Sequence, residues 1–247
     1  MKSLWFSFNL IILLSWLPSL AAAEIKIKLD LEGNGQSREL VVRALGNETF
    51  AVQGLDQELR LAEFDQDFFH NDPPELKAVT PFPGRSTQWL QFTLIGSSDY
   101  NEHVFISLNN GRLEIVGRLR GQGGIRVPGN GSIIQEVWMG FWTRIIKHQI
   151  HPDGVLREIE AEFAAVGVTG KVTKSFEILA RRDSTEILGI PQLNSEVEVI
   201  LWAPGTAARN DWERNDWYLI HTSTGLTGWI DLETLAGESV VELPWAG

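Results

Sequence analysis

The chain has 247 residues, 43% of them hydrophobic, no cysteine, and a formal net charge of −11. That length accommodates one large or two small domains. The missing thiol excludes a disulfide framework, an acylated lipobox and a thiolate nucleophile, so stability must come from a buried core. The negative balance repels phosphate backbones and anionic lipid, so nucleic acid is not an expected partner, whereas cations are.

Residues 1–23 carry one cation, Lys2, then an apolar run from Leu10 to Leu17 interrupted by Ser15, and end in Ala21-Ala22-Ala23. The run is well short of the ~20 residues that a bilayer helix needs. The terminal alanines fit the small-residue cleavage rule of a secretory signal peptide. The expectation is an exported chain beginning at Glu24, periplasmic or secreted, with no membrane span in its mature part.

From Glu24 the pattern is short alternating runs punctuated by Gly, Asn, Asp and Pro, as in an antiparallel β protein. Ile25, Ile27 and Leu29 alternate with charged residues and lead into Asp30-Leu31-Glu32-Gly33-Asn34-Gly35. Asp30, Glu32 and Asn34 place side-chain oxygens at alternate positions with Gly at the sixth, the spacing with which a tight turn wraps a hard cation. Calcium is the candidate ion; the alternative is an Asx-rich turn that satisfies its own backbone. The loop and the following Glu39-Leu40-Val41-Val42 resemble the FG-GAP or VCBS repeats of β-propeller proteins, with Glu32 and Asn34 where that family has Asp.

Asp65 and Asp67 followed by Glu75–Val79, and Gly129-Asn130-Gly131 followed by Ser132-Ile133-Ile134, have the same outline, so a degenerate internal repeat is expected. Two hairpins are expected as well. One joins Val104–Leu108 to Leu113–Gly117 through Asn110-Gly111, which supplies the positive-φ residues of a tight turn. The other joins Ile145–Ile150 to Val155–Ile159. Residues 24–166 are therefore expected to form a repeat-like β domain, a sandwich or a partial propeller, since four or more four-stranded blades need more chain.

Catalytic chemistry has little local support in this stretch. His148, His151 and Asp153 are the nearest approach to a zinc set, but residues three apart on a strand project to opposite faces. There is no Gly-x-Ser-x-Gly elbow. Sugar cleavage needs two carboxylates at the right separation, which 32 acidic residues leave open, and Glu136, beside Trp138, Phe141 and Trp142, is the first cluster to inspect because aromatics line sugar sites.

A composition change at Gly167–Lys174 is taken as a linker, followed by a Trp-rich unit over 175–238 and a tail over 239–247. Val197, Val199 and Leu201 alternate on one face, Trp217, Leu219 and His221 on another, and Ser223-Thr224-Gly225 is turn chemistry. The run Asp216-Trp217-Tyr218-Leu219-Ile220-His221, the Gly225 turn and Gly228-Trp229-Ile230 resemble the second half of bacterial SH3 domains. Glu196–Leu201 corresponds to that family's central strand and Phe176–Arg181 to its first. The family's Asn-x-Arg-x-Gly-Pro stretch is replaced by Leu188-Gly189-Ile190-Pro191, and residues 203–210 are an insertion.

The resemblance implies a small barrel whose aromatic groove binds peptides, often those of peptidoglycan. Trp202, Trp212 and Tyr218 are the first candidates for such a groove, with Trp217 and Trp229 divided between groove and core. The combined expectation is an all-β, non-catalytic binding or scaffolding protein of the cell envelope, partnered by peptidoglycan or an envelope peptide or protein. A cell-wall glycosidase and a calcium-dependent adhesin are the competing readings.

Overall fold

A computed structural model describes residues 24–46, 49–62, 64, 73–96, 100–151, 154–205 and 215–245. The expected signal peptide, Asp65, Asp67, Asp153 and Trp212 lie outside the described residues. The fold is all-β, with antiparallel pairing throughout the described sheets. No helix among the described residues is long and apolar enough to cross a membrane.

The first half consists of three four-stranded meanders. The first contains β1 (Ile25–Leu29), β2 (Arg38–Gly46), β3 (Thr49–Gly54) and β4 (Gln57–Leu61). The second contains β5 (Glu75–Val79), β6 (Trp89–Ile95), β7 (Tyr100–Asn109) and β8 (Arg112–Gln122), and the third contains β9 (Ile125–Arg126), β10 (Ser132–Trp138), β11 (Thr143–Ile150) and β12 (Leu156–Glu158). Both expected hairpins are present, as β7–β8 and β11–β12. Asn110 and Gly111 turn the first of them at φ 49° and 76°, the left-handed pair whose twist matches that of the flanking strands.

The meanders stack face to face. Leu29, Leu40, Val52 and Leu61 of the first pack on Leu90, Phe92, Val104 and Ile106 of the second. On the opposite side, Val79, Trp89, Phe105 and Leu119 meet Ile133 and Ile150 of the third. The second meander is thus covered on both faces, and for that reason β6 is buried continuously from Trp89 to Leu94 instead of alternating. Its second interface also holds polar groups: Thr93 Oγ1 lies 3.0 Å from His103 Nδ1, and Gln135 Oε1 lies 2.9 Å from His148 Nε2.

The four-stranded meander recurs along this half, but its boundaries do not follow the acidic-turn pattern expected for an internal repeat. The Asp30 and Gly129 loops both precede the second strand of a meander, but Asp65 and Asp67 precede a first strand, β5. The equivalent connection in the second meander is residues 80–88. These three connections form one continuous seam: Gln88 N–H donates to Asp30 O at 2.8 Å, Ser86 Oγ to Gly33 O at 2.5 Å, and Gly131 N–H to Pro81 O at 2.7 Å.

The second half is a seven-stranded sheet that curls into a half-barrel. It contains β13 (Ala164–Val172), β14 (Ile178–Leu179), β15 (Ile187–Gly189), β16 (Glu196–Ala203), β17 (Trp217–Thr222), β18 (Thr227–Asp231) and β19 (Val241–Glu242), in the order β15-β14-β18-β17-β16-β13-β19. Residues 167–174, expected as a linker, instead supply most of β13, whose apolar positions Val168 and Val172 pack toward the core. The expected tail closes the sheet as β19, with Val240 and Val241 buried. Phe141 and Trp142, from the turn between β10 and β11, enter this same core, so the third meander and the curled sheet share apolar interior.

Candidate binding surface

One irregularity sorts the aromatic residues of the curled sheet. In β16, Val199 pairs with Ile220 and Leu201 with Leu219, so Ile200 is an extra residue and the strand bulges there. A one-residue slip exchanges the faces. Val197 and Val199 point inward, but beyond the bulge it is Trp202 that turns inward and Leu201 that turns out. Plain alternation had grouped Leu201 with the two valines; the bulge reverses that.

Trp202 and Tyr218, directly opposite one another, are each 1% exposed. Trp202 lies 6.2 Å from the Trp142 ring, Tyr218 5.4 Å from Phe141, and the Arg144 guanidinium sits 4.5 Å from the Trp202 ring centroid. Burial raises the Tyr218 hydroxyl to about 12. These two residues of the expected groove therefore form the seam between the two halves of the chain. Trp217 is buried as well.

Trp229 is placed differently. It pairs with Leu219 on β17 and with Leu179 on β14, and Leu219 pairs in turn with Leu201. Leu179, Trp229, Leu219 and Leu201 thus make one row across the outer face of four strands, every member partly exposed. Phe163 lies 6.3 Å from the Trp229 ring, and the Arg182 guanidinium carbon is 5.5 Å from both rings. Arg182 is also 3.7 Å from Glu162.

The apolar surface continues at the sheet edge. Leu188 lies over Gly228, where a Cβ would come within 3.1 Å of Leu188 Cδ1. Ile187, Leu188 and Ile190 are exposed by 49%, 43% and 61%. A partly exposed Trp with a guanidinium over its ring and aliphatic flanks offers a rigid contact platform that is apolar in the middle and charged at the rim. Of the residues in this platform, Trp229 alone is a binding-residue candidate in the sequence. Leu179 and Leu219 join it through cross-strand register, which needs the strand order to be known, and Phe163 and Arg182 reach it from the segments beside the strands.

The Asp30 loop folds inward. Asp30 Oδ1 accepts N–H bonds from Gly33 at 2.7 Å and Asn34 at 3.1 Å, and Oδ2 accepts one from Gly35 at 2.7 Å. Asn34 Nδ2 donates to Glu32 Oε2 at 2.6 Å, and both of these side chains are exposed. The carboxylate expected to lead a calcium cage is thus engaged by its own main chain. No group of three or more His, Cys, Asp or Glu among the described residues could hold a metal ion.

The other catalytic candidates are dispersed. Glu136 is 3.2 Å from Arg126, while its neighbours Phe141 and Trp142 are buried in the shared core instead of lining a cleft. His148 is buried and His151 exposed. Against known proteins, no family model matches the chain, and no curated protein matches it in sequence.

Proposed function

We propose that this chain is an exported, non-catalytic binding or scaffolding protein of the cell envelope, and that the outer face of its curled C-terminal sheet is the contact surface. The observation that carries this reading is the in-register row Leu179–Trp229–Leu219–Leu201 with Arg182 across Trp229. Apolar groups left on the outside of a sheet, continuous with an exposed apolar edge, are a feature of interaction sites more than of inert surfaces.

The resemblance of residues 216–230 to bacterial SH3 domains supports the same direction and supplies the ligand class, peptidoglycan or an envelope peptide. The site moves relative to the sequence expectation, from Trp202 and Tyr218 to Trp229, because the former two are interior. Export rests on residues 1–23 and their fit to a signal peptide. The test is pelleting of the chain from Glu24 onward with purified peptidoglycan sacculi, compared between the parent and Trp229→Ala.

A further inference from the structure

We propose a second recognition site, on the meander half of the molecule: a groove along the free edge of β5 that accepts an extended, carboxylate-bearing peptide as an added strand. Among the described residues β5 pairs only with β6, so alternate main-chain N–H and C=O groups of Glu75–Val79 face away from the sheet with no described strand beside them. Along that strand runs a groove of approximately 450 Å³, with Val127, Pro128 and Gly129 forming another part of its wall. At the centre of this wall Pro128 has no N–H to offer the edge. The wall is held in place by the Gly131 N–H bond to Pro81 O at 2.7 Å.

The charge in the groove is opposite to that of the molecule. Among the described residues, its only ionisable lining residues are Lys77 and Arg85, both exposed, in a chain of net charge −11. Among the described residues neither has a carboxylate or hydrogen-bond partner. Arg85 is nevertheless positioned, since its guanidinium carbon lies 5.1 Å from the Phe82 ring centroid and Phe82 is set edge-on, at 6.0 Å, against the buried Trp89. A cation held by its flat face keeps its N–H donors at the rim free for a carboxylate. Unpaired main chain at a sheet edge gives affinity in strand addition, and side-chain partners at alternate positions give selectivity. The acidic remainder of the surface disfavours a polyanion, whereas a short segment presenting one or two carboxylates is matched by two cations.

A lysine on an edge strand also guards against edge-to-edge aggregation, and the experiment separates the two roles. The probe is a fluorescently labelled synthetic peptide alternating Glu and Val, titrated by anisotropy into the chain from Glu24 onward. Controls are a Lys/Val peptide and a Glu/Val peptide N-methylated at alternate residues. The proposal expects the Glu/Val peptide to bind, the N-methylated peptide to bind at least tenfold more weakly, and Lys77→Glu/Arg85→Glu to lose binding at least tenfold. Trp229→Ala should leave this binding unchanged, so the site stands or falls independently of the C-terminal surface. Equal binding of the N-methylated or the Lys/Val peptide would overturn it. So would a charge-reversal variant that self-associates by light scattering while its peptide affinity stays that of the parent.

Discussion

Trp202 Nε1 donates to Asp216 Oδ2 at 2.9 Å across fourteen positions of sequence, and the other oxygen of that carboxylate accepts the Gly205 N–H, also at 2.9 Å. Asp216 is 5% exposed, so both bonds are made in a largely dry setting. One carboxylate therefore fixes the end of β16 and the approach to β17, and orients the indole that joins the curled sheet to Trp142 of the third meander.

From this arrangement Asp216→Ala is expected to destabilise the fold by about 2–4 kcal/mol, because it strands an indole N–H and a main-chain N–H together. Trp202→Ala should cost about 3–5 kcal/mol through the cavity it leaves. Urea denaturation of each variant measures both. Near-parental stability of Trp202→Ala would place that residue at a surface.

Asp30→Ala removes the acceptor of three main-chain N–H groups, and a loss of about 2–3 kcal/mol is expected. Because the carboxylate already serves those donors, the thermal midpoint of the parent should be the same in millimolar calcium as in chelator. A calcium-dependent rise that Asp30→Ala abolishes would instead show that the loop opens to hold the ion, as the adhesin reading requires.

Acid should weaken the interface between the second and third meanders. Burial pushes His103 from 6.5 down to about 4, and burial also lowers His148, assisted by Arg144 and opposed by Glu158. With folded values below unfolded ones, the unfolded chain binds the extra protons. The contribution of neutral His103 is complete above about pH 6.5 and is lost as pH falls toward 4, on the order of 3 kcal/mol over the full window. Denaturation between pH 7 and 5, above most carboxylate titration, should show declining stability, and His103→Gln should flatten the decline. An unchanged slope in that variant would remove His103 as the source.

The all-β class, the Asn110-Gly111 hairpin and the alternation of β17 were legible because each depends on residues adjacent in sequence. The face of Trp202 was not, since the single extra residue at Ile200 leaves no compositional mark and reverses everything beyond it. The linker reading of 167–174 failed for a related reason. Val-Thr-Gly-Lys-Val looks loop-like until Gly170 is seen against β19, where a Cβ would approach Glu242 O to 2.7 Å and Val241 Cγ1 to 2.6 Å. The outer row was invisible because its four members come from four strands, joined only by register.

The measurement that bears most directly on the central claim is co-sedimentation of the chain from Glu24 onward with purified peptidoglycan sacculi, with Trp229→Ala run in parallel and its fold checked by its thermal midpoint. The parent is expected to pellet and a folded Trp229→Ala to bind at least ~30-fold more weakly, the loss of an aromatic anchor worth about 2 kcal/mol or more. Parental pelleting by the folded variant would contradict the proposed surface, and failure of the parent to pellet would contradict peptidoglycan as its ligand.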